Sequence, residues 1–290
     1  MVRERAVVFG KGATLVGVVT EPEPESRDLP AVLLWNAGLI HRVGPFRLFV
    51  DLARGLATRG FTTLRFDVSG RGDSELPKEA VSEEERTSRD IEEAMNFLAE
   101  KKGIPAFVLI GSCSGADEAF PVAVRDTRVV GLVLLDGFGY RTLGYYVHHY
   151  GPRLFKADVW ARFFKRTAGT CLELLEGGRT SSKGQTAIFV RKFPPKKAAE
   201  AALRGLTERG VRLLFVYSGG VAHFYYNYPN QFRDMFRSLR VGDAVQTRHF
   251  PDAGHTYPEV GPRIRLIDTI SEWMAQGFLA HEHPGHTERT

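Results

Sequence analysis

The sequence has few cysteines and lacks a long hydrophobic run. Its two cysteines, Cys113 and Cys171, are too few for a disulfide framework, so both are predicted to be free thiols in a reducing compartment. Nowhere do apolar residues approach the ~18 in a row that a membrane helix requires. The amino-terminal region also does not join a basic stretch to a long apolar one, as a signal peptide would. We therefore expect a cytoplasmic protein with no membrane partner.

Positive and negative charges are unevenly distributed along the chain. The formal net charge is only +5, yet residues 141–210 carry 14 Lys or Arg against 5 Asp or Glu. A recognised nucleic-acid motif does not accompany this basic segment, so we expect no nucleic-acid partner. A solvated basic surface explains the segment most simply, whereas an acidic partner such as an acyl carrier protein or a coenzyme A thioester is the functional alternative.

Apolar runs and amphipathic segments alternate along most of the chain. With 290 residues, 43% of them hydrophobic, the chain can bury a large core. The alternation predicts an α/β fold with a mostly parallel central sheet and helices on both faces. We predict strands at 7–9, 14–20, 31–35, 61–66, 108–110, 130–135, 211–217 and 245–250, and helices at 45–59, 91–98, 114–124 and 264–274.

One aromatic and basic segment interrupts the alternation. Residues 137–204 contain many Tyr, Trp and Phe side chains and show no strand pattern in their first half. We interpret them as a lid inserted after the sixth strand, over the carboxyl edge of the sheet. The core would then comprise residues 1–136 and 205–280, and the polar tail 281–290 would be disordered.

The most informative motif is Gly111-Ser-Cys-Ser-Gly115, which directly follows an apolar strand. Glycines on both sides of a central nucleophile allow the chain to turn sharply from a strand into a helix. Cys113 takes the central position. The amino end of the helix would lower the pKa of its thiol and direct backbone N–H groups at a developing oxyanion.

With this motif, the chain resembles the α/β-hydrolase fold family over essentially its whole length. Four features in the family's order carry the resemblance: Asn36-Ala-Gly38 where relatives have His-Gly, the loop Asp67-Val-Ser-Gly-Arg-Gly-Asp-Ser74, the turn at Cys113, and Asp252-Ala-Gly-His255. The run from Asn36 to Pro45 is also similar to bacterial hydrolases found beside polysaccharide or natural-product biosynthesis.

The resemblance implies a catalytic set of Cys113, His255 and Asp136. His255 follows the last strand, where the family places its general base. The usual acid position after strand seven has no carboxylate, but some relatives place the acid after strand six, which corresponds to Asp136. Asp252 and a Cys113–His255 pair without an acid stay open as alternatives, because a thiol needs less help from a base than a hydroxyl does.

The resemblance also predicts an oxyanion hole formed by the backbone N–H groups of Leu39 and Ser114. Asp67, Arg71 and Asp73 are interpreted as scaffold. The isolated histidines have no acidic residue or cysteine at the spacing of a metal site, and we predict neither a metal nor another cofactor. Those isolated histidines are His41, His223 and His249.

This chemistry predicts an enzyme that forms an acyl thioester at Cys113 from a small ester or thioester and releases it by hydrolysis. Two alternatives stay open. An acyl thioester also reacts well with amines and thiols, which favours an acyltransferase or a cyclase of a biosynthetic pathway. The missing carboxylate after strand seven suggests instead a non-catalytic binding protein on the same scaffold.

Overall fold

The computed structural model describes residues 2–23, 28–35, 38–78, 80–154, 191, 193–239 and 242–279. Eight strands of this described part form one sheet. They are β1 (Val2–Phe9), β2 (Leu15–Pro22), β3 (Ala31–Trp35), β4 (Thr63–Phe66), β5 (Phe107–Ser112), β6 (Val129–Leu135), β7 (Arg212–Ser218) and β8 (Val245–Phe250). Each predicted strand is present, and β3 and β8 have the predicted bounds.

The spatial order of the strands is β1-β2-β4-β3-β5-β6-β7-β8. The first two form an antiparallel hairpin, and β2 also pairs antiparallel with β4. All other neighbours are parallel. The carboxyl ends of β5, β6 and β7 therefore lie side by side at one edge of the sheet, which is where ligands of such sheets bind.

Helices cover both faces of the sheet. They are α1 (Leu48–Ala57), α2 (Glu83–Lys102), α3 (Ser114–Arg125), α4 (Leu143–Leu154), α5 (Lys196–Glu208), α6 (Gln231–Met235) and α7 (Val260–Phe278). Successive β3 residues alternate between two cores: Leu33 packs in one with α2, α3 and α5, and Leu34 packs in the other with α1 and α7. The fold is thus α/β with a mostly parallel sheet, as predicted.

The amino end of α1 differs from the prediction of a helix starting at residue 45. Pro45–Arg47 form a single 3₁₀ turn in which Phe46 and Arg47 have φ of 49° and 65°. Gly44 precedes this turn, and a Cβ on it would lie 2.6 Å from the Phe49 ring. This tight approach forces the chain to turn before the regular helix begins at Leu48.

Most of the predicted lid lies outside the described residues, as do Cys171 and the tail 281–290. Within the described part of the 137–204 segment, α4 begins at Leu143 after a connection from the end of β6 at Leu135, and α5 crosses the boundary predicted between residues 204 and 205. Ala199 and Leu203 of α5 are fully buried in the core shared with α3. Residues 196–204 therefore pack with the core.

Candidate active site

The turn between β5 and α3 has the geometry that its glycines predict. Cys113 has φ 54° and ψ −117°, a strained conformation, and α3 begins at the next residue. A Cβ on Gly111 would lie 2.3 Å from the carbonyl oxygen of Gly115, so only glycine fits there. The Cys113 N–H donates to the Leu135 carbonyl at 2.9 Å, which joins the turn to β6.

His255 lies in the loop between β8 and α7 and reaches this turn because β7 is followed by two glycines. A Cβ on Gly220 would lie 2.4 Å from the His255 nitrogen, and one on Gly219 would lie 2.1 Å from the Pro251 carbonyl oxygen. The Gly220 N–H also donates to the Ala253 carbonyl at 3.2 Å. Small residues at the end of β7 thus allow the histidine loop to pack on the sheet edge.

Asp136, directly after β6, is the carboxylate that meets His255. The side chain of Asp136 is 1% exposed, and its Oδ2 lies 2.7 Å from His255 Nδ1. Asp252 instead pairs with Arg265 on the surface and is 57% exposed. The structure therefore brings Asp136 to the histidine and leaves Asp252 in a salt bridge elsewhere.

Ser218 occupies the end of β7, beside the family's usual acid position. Its N–H donates to Asp136 Oδ1 and its hydroxyl to Asp136 Oδ2, both at 2.6 Å. Without these two bonds, the hydrogen bonds of the described residues would leave the buried Asp136 carboxylate with His255 alone as its partner. Sequence reasoning missed this role, although a short polar residue at the usual acid position was a signal for it.

His255 interacts with both Asp136 and Cys113, and these interactions shift the pKa values of the thiol and the imidazole. Burial raises the pKa of the Cys113 thiol, but the hydrogen bond and the charge of His255 outweigh it, so the net pKa is below its ordinary value. The Asp136 carboxylate and the Cys113 thiolate together raise the pKa of His255 to about 10, against the effect of burial. Both shifts favour transfer of the thiol proton to the imidazole, which would give a thiolate beside an imidazolium.

The two predicted oxyanion donors differ in their surroundings. The Ser114 N–H contributes to lowering the pKa of the Cys113 thiol, which places this donor beside the sulfur. The side chain of Leu39 is 94% exposed. Its neighbour Gly38 donates its N–H to the Ser114 hydroxyl at 2.9 Å, which connects this loop to the turn. Asn36 and Ala37 lie outside the described residues, and the role of Leu39 stays a prediction.

Arg191 is a further residue that sequence reasoning missed. Its guanidinium donates to the backbone carbonyls of Cys113 at 2.8 Å and Asp136 at 2.7 Å. It also forms a two-bond salt bridge with Asp117 of α3, with both distances 2.7 Å. Local sequence gives no signal for these contacts, because the partners lie 55 to 78 positions away.

The Asp67 loop follows β4 and lies beside the start of β2. The Asp67 carboxylate accepts from the Arg42 N–H at 2.7 Å and from the Arg42 guanidinium, and its carbonyl accepts from the Ser74 hydroxyl at 2.6 Å. Arg71 forms a salt bridge with Glu83, and Asp73 forms one with Arg42 at 2.6 Å. These contacts join loops to the sheet and to α2, which suits the scaffold interpretation.

The described residues contain no group of three or more His, Cys, Asp or Glu side chains arranged to hold a metal ion.

Two of the isolated histidines have packing or backbone contacts. His249 of β8 is half-buried and lies edge-on to Tyr226, and burial lowers its pKa. The backbone carbonyl of His223 accepts from the Tyr145 hydroxyl at 2.9 Å. Among the helices of the described ranges, none combines the length and apolarity of a membrane span.

The comparisons with solved structures and with protein-family models agree on the fold. A search of curated proteins found no significant match. Among solved structures, a dienelactone hydrolase from Anabaena variabilis has a TM-score of 0.54 at 15% identity, covering 96% of this chain and 99% of its own. The esterase domain of a Rhodothermus marinus protein scores 0.54 at 15% identity, covering 96% and 100%.

A proline iminopeptidase from Mycobacterium smegmatis has a TM-score of 0.53 at 17% identity, covering 97% of this chain and 100% of its own. At such low sequence identity, the similarity to these three structures shows only a shared fold. At the level of sequence, the model of the alpha/beta hydrolase fold matches residues 30–238, which is most of the chain. This chain therefore belongs to the α/β-hydrolase fold family and has the fold of a hydrolase.

Proposed function

We propose that this protein is a cysteine-dependent acyl hydrolase that cleaves an ester or thioester through an acyl thioester on Cys113. One observation carries the proposal: His255 Nδ1 lies 2.7 Å from the buried Asp136 carboxylate at the carboxyl edge of the sheet, and the same His255 lowers the pKa of the Cys113 thiol. A nucleophile, a base and an orienting acid in contact are the arrangement that nucleophilic acyl transfer requires.

In acylation, the Cys113 thiolate adds to the carbonyl carbon of the substrate, and the carbonyl π electrons move to the oxygen. The resulting oxyanion would accept from the Ser114 N–H and, as we propose, from the N–H of Leu39. When it collapses, the bond to the alcohol or thiol breaks, and His255 gives its Nε2 proton to that leaving group. An acyl thioester and a neutral imidazole remain.

In deacylation, His255 takes a proton from water as the water oxygen adds to the thioester carbon. Collapse of the second oxyanion breaks the sulfur–carbon bond, releases the carboxylic acid and restores the thiolate beside the imidazolium. Asp136 accepts from Nδ1 throughout, which directs Nε2 at the sulfur and stabilises the imidazolium.

The contact between Asp136 and His255 also weakens the case for a non-catalytic binding protein. That alternative depended on the missing carboxylate after strand seven. Because Ser218 at that position donates to Asp136, the family's acid has a replacement one strand away. A buried carboxylate with two such donors fits a role in orienting a base better than a role in a loop turn alone.

The acyl thioester can be tested by intact mass after incubation with p-nitrophenyl esters, lactones and coenzyme A thioesters. Lactones are included because one structural neighbour is a dienelactone hydrolase. We expect an acyl adduct on the wild type and on the control Cys171→Ala, and neither adduct nor turnover on Cys113→Ala. Full turnover by Cys113→Ala would contradict the proposal.

Repeating the incubation with an amine or thiol acceptor separates hydrolysis from transfer. A free acid as the only product supports the hydrolase, whereas an amide or a new thioester would indicate the acyltransferase or cyclase alternative. Thioesters of acyl carrier protein belong in this experiment, because the basic segment 141–210 favours acidic acyl donors. Preference for them would also support a place in a biosynthetic pathway.

A further inference from the structure

All five N–H groups of the Arg191 guanidinium have acceptors. Two bind Asp117, one binds the Tyr225 hydroxyl at 3.0 Å, and two bind the carbonyls of Cys113 and Asp136. The guanidinium also lies over the Phe193 ring at 5.0 Å. Because each donor is used, Arg191 has none left to bind a carboxylate or phosphate of a substrate.

The two carbonyls that Arg191 binds belong to residues with strained backbones. Cys113 has φ of 54° and Asp136 has φ of 49°, a region that residues with a Cβ rarely adopt. Such conformations persist only where the surroundings fix them. The Tyr225 hydroxyl adds a second bond to the Asp136 carbonyl at 2.8 Å.

The contacts of Arg191 lie where water has little access, and they require the shape of a guanidinium as well as its charge. The side chain of Arg191 is 12% exposed and that of Asp117 is 22% exposed, so the charge is compensated where water has little access. The charge of Arg191 also contributes to lowering the pKa of the Cys113 thiol. A lysine could supply the charge from a single nitrogen, but it could not span four partners with fixed angles.

We propose that Arg191 is a positioning residue for the acyl transfer: by binding both carbonyls it fixes the nucleophile and the acid relative to each other. This inference rests on the proposed function, since it assigns the same site one more residue. It also implies that Arg191, a residue of the 137–204 segment, contributes to the reactive geometry, although it supplies no reacting atom.

Two substitutions of Arg191 separate its geometry from its charge. Arg191→Lys keeps the charge and loses the planar arrangement of donors, so we expect kcat to fall by about 10- to 100-fold with KM little changed, as for misplaced reactive groups. Arg191→Gln loses the charge as well, so the pH midpoint of Cys113 alkylation by iodoacetamide should rise. In Arg191→Lys that midpoint should stay near the wild-type value.

Arg209→Lys is the matched control. Arg209 also donates to three backbone carbonyls, those of Ala123, Val124 and Asp126, but at the opposite end of α3. We expect its kcat and alkylation midpoint to match the wild type. A wild-type kcat for Arg191→Lys, or an equal loss in Arg209→Lys, would overturn the proposal.

Folding and the proposed function are checked in the same series, run in a Cys171→Ala background with thermal melting of each variant. If Arg191→Lys does not fold, Asp117→Asn replaces it: a reduced kcat at unchanged KM supports the proposal, and an unchanged kcat overturns it.

Failure of the proposed function can be distinguished from failure of the role of Arg191, because alkylation of Cys113 needs no acyl substrate. If no substrate forms an adduct, the proposed function fails, yet an unmoved midpoint in Arg191→Gln would separately overturn the role of Arg191.

Discussion

Asp136, the proposed acid, lies one strand away from the family's usual acid position, which Ser218 occupies. Asp136 stands at the end of β6, while Ser218 at the end of β7 supplies two of its hydrogen bonds. Because these strands are parallel neighbours, their carboxyl ends are close enough for either to carry the acid. A carboxylate at one position and a short donor at the other therefore orient the same histidine.

Asp136→Asn should reduce kcat by about 10²-fold or more, because an amide cannot stabilise the imidazolium as a carboxylate does. The pKa of His255 should fall from about 10, so the alkaline limb of the kcat/KM profile should move to lower pH. The measurement is a pH–rate profile of both proteins. Asp252→Asn is the control, since Asp252 pairs with Arg265 on the surface, and an equal loss there would contradict the assignment.

The ends of strands, more than the helices, determine how the site is assembled. Cys113 follows β5, Asp136 follows β6, and the glycines after β7 make room for the loop that carries His255. The connections after β5 and β7 depend on close backbone approaches that a side chain would obstruct. Substitutions at these positions should change the geometry of the candidate site more than they change the stability of the core.

Gly220→Ala should lower kcat by about 10-fold or more, because the new Cβ would lie 2.4 Å from the His255 nitrogen and displace that loop. Circular dichroism should show that the fold is retained. Gly205→Ala in α5 is the matched control. A Cβ there meets nothing within 4 Å, so this helical glycine should gain about 0.5–1 kcal/mol in free energy of unfolding with no loss of activity.

At the scale of the whole molecule, the half-buried carboxyl of Glu118 makes stability fall as pH rises, which is opposite to the usual effect of a carboxyl group. Burial raises its pKa to about 7, and its only compensating neutral donor among the hydrogen bonds of the described residues is Trp35 Nε1 at 2.9 Å. The folded protein therefore holds a proton that the unfolded chain releases between about pH 4.5 and 7. In that interval the contribution of Glu118 to stability decreases as pH rises.

Glu118→Gln should remove this contribution, because the amide oxygen can still accept from Trp35 but does not ionise. We expect the variant to be more stable than the wild type above pH 7 and to differ little at pH 5, measured as Tm across the pH range. Glu100→Gln, at an exposed position of α2, is the control, and because it retains Glu118 it should keep the wild-type pH dependence of Tm. A wild-type pH dependence of Tm in Glu118→Gln would contradict the interpretation.

The sequence alone determined the α/β order of elements, the strained turn at Cys113 and the identity of the candidate base. These follow from local rules: apolar runs form strands, and a glycine on each side of a nucleophile permits a sharp turn. The start of α1 was misplaced by three residues, because the packing of Gly44 against Phe49 outweighs the helical spacing of the apolar residues.

Only the tertiary structure decided how the polar groups pair at the sheet edge. The choice between Asp136 and Asp252, the support from Ser218 and the contacts of Arg191 each join residues tens of positions apart. Such pairings depend on which strands become neighbours and on how deeply each charge is buried. Neither property is encoded within a short window, so these residues become functional candidates only once the chain has folded.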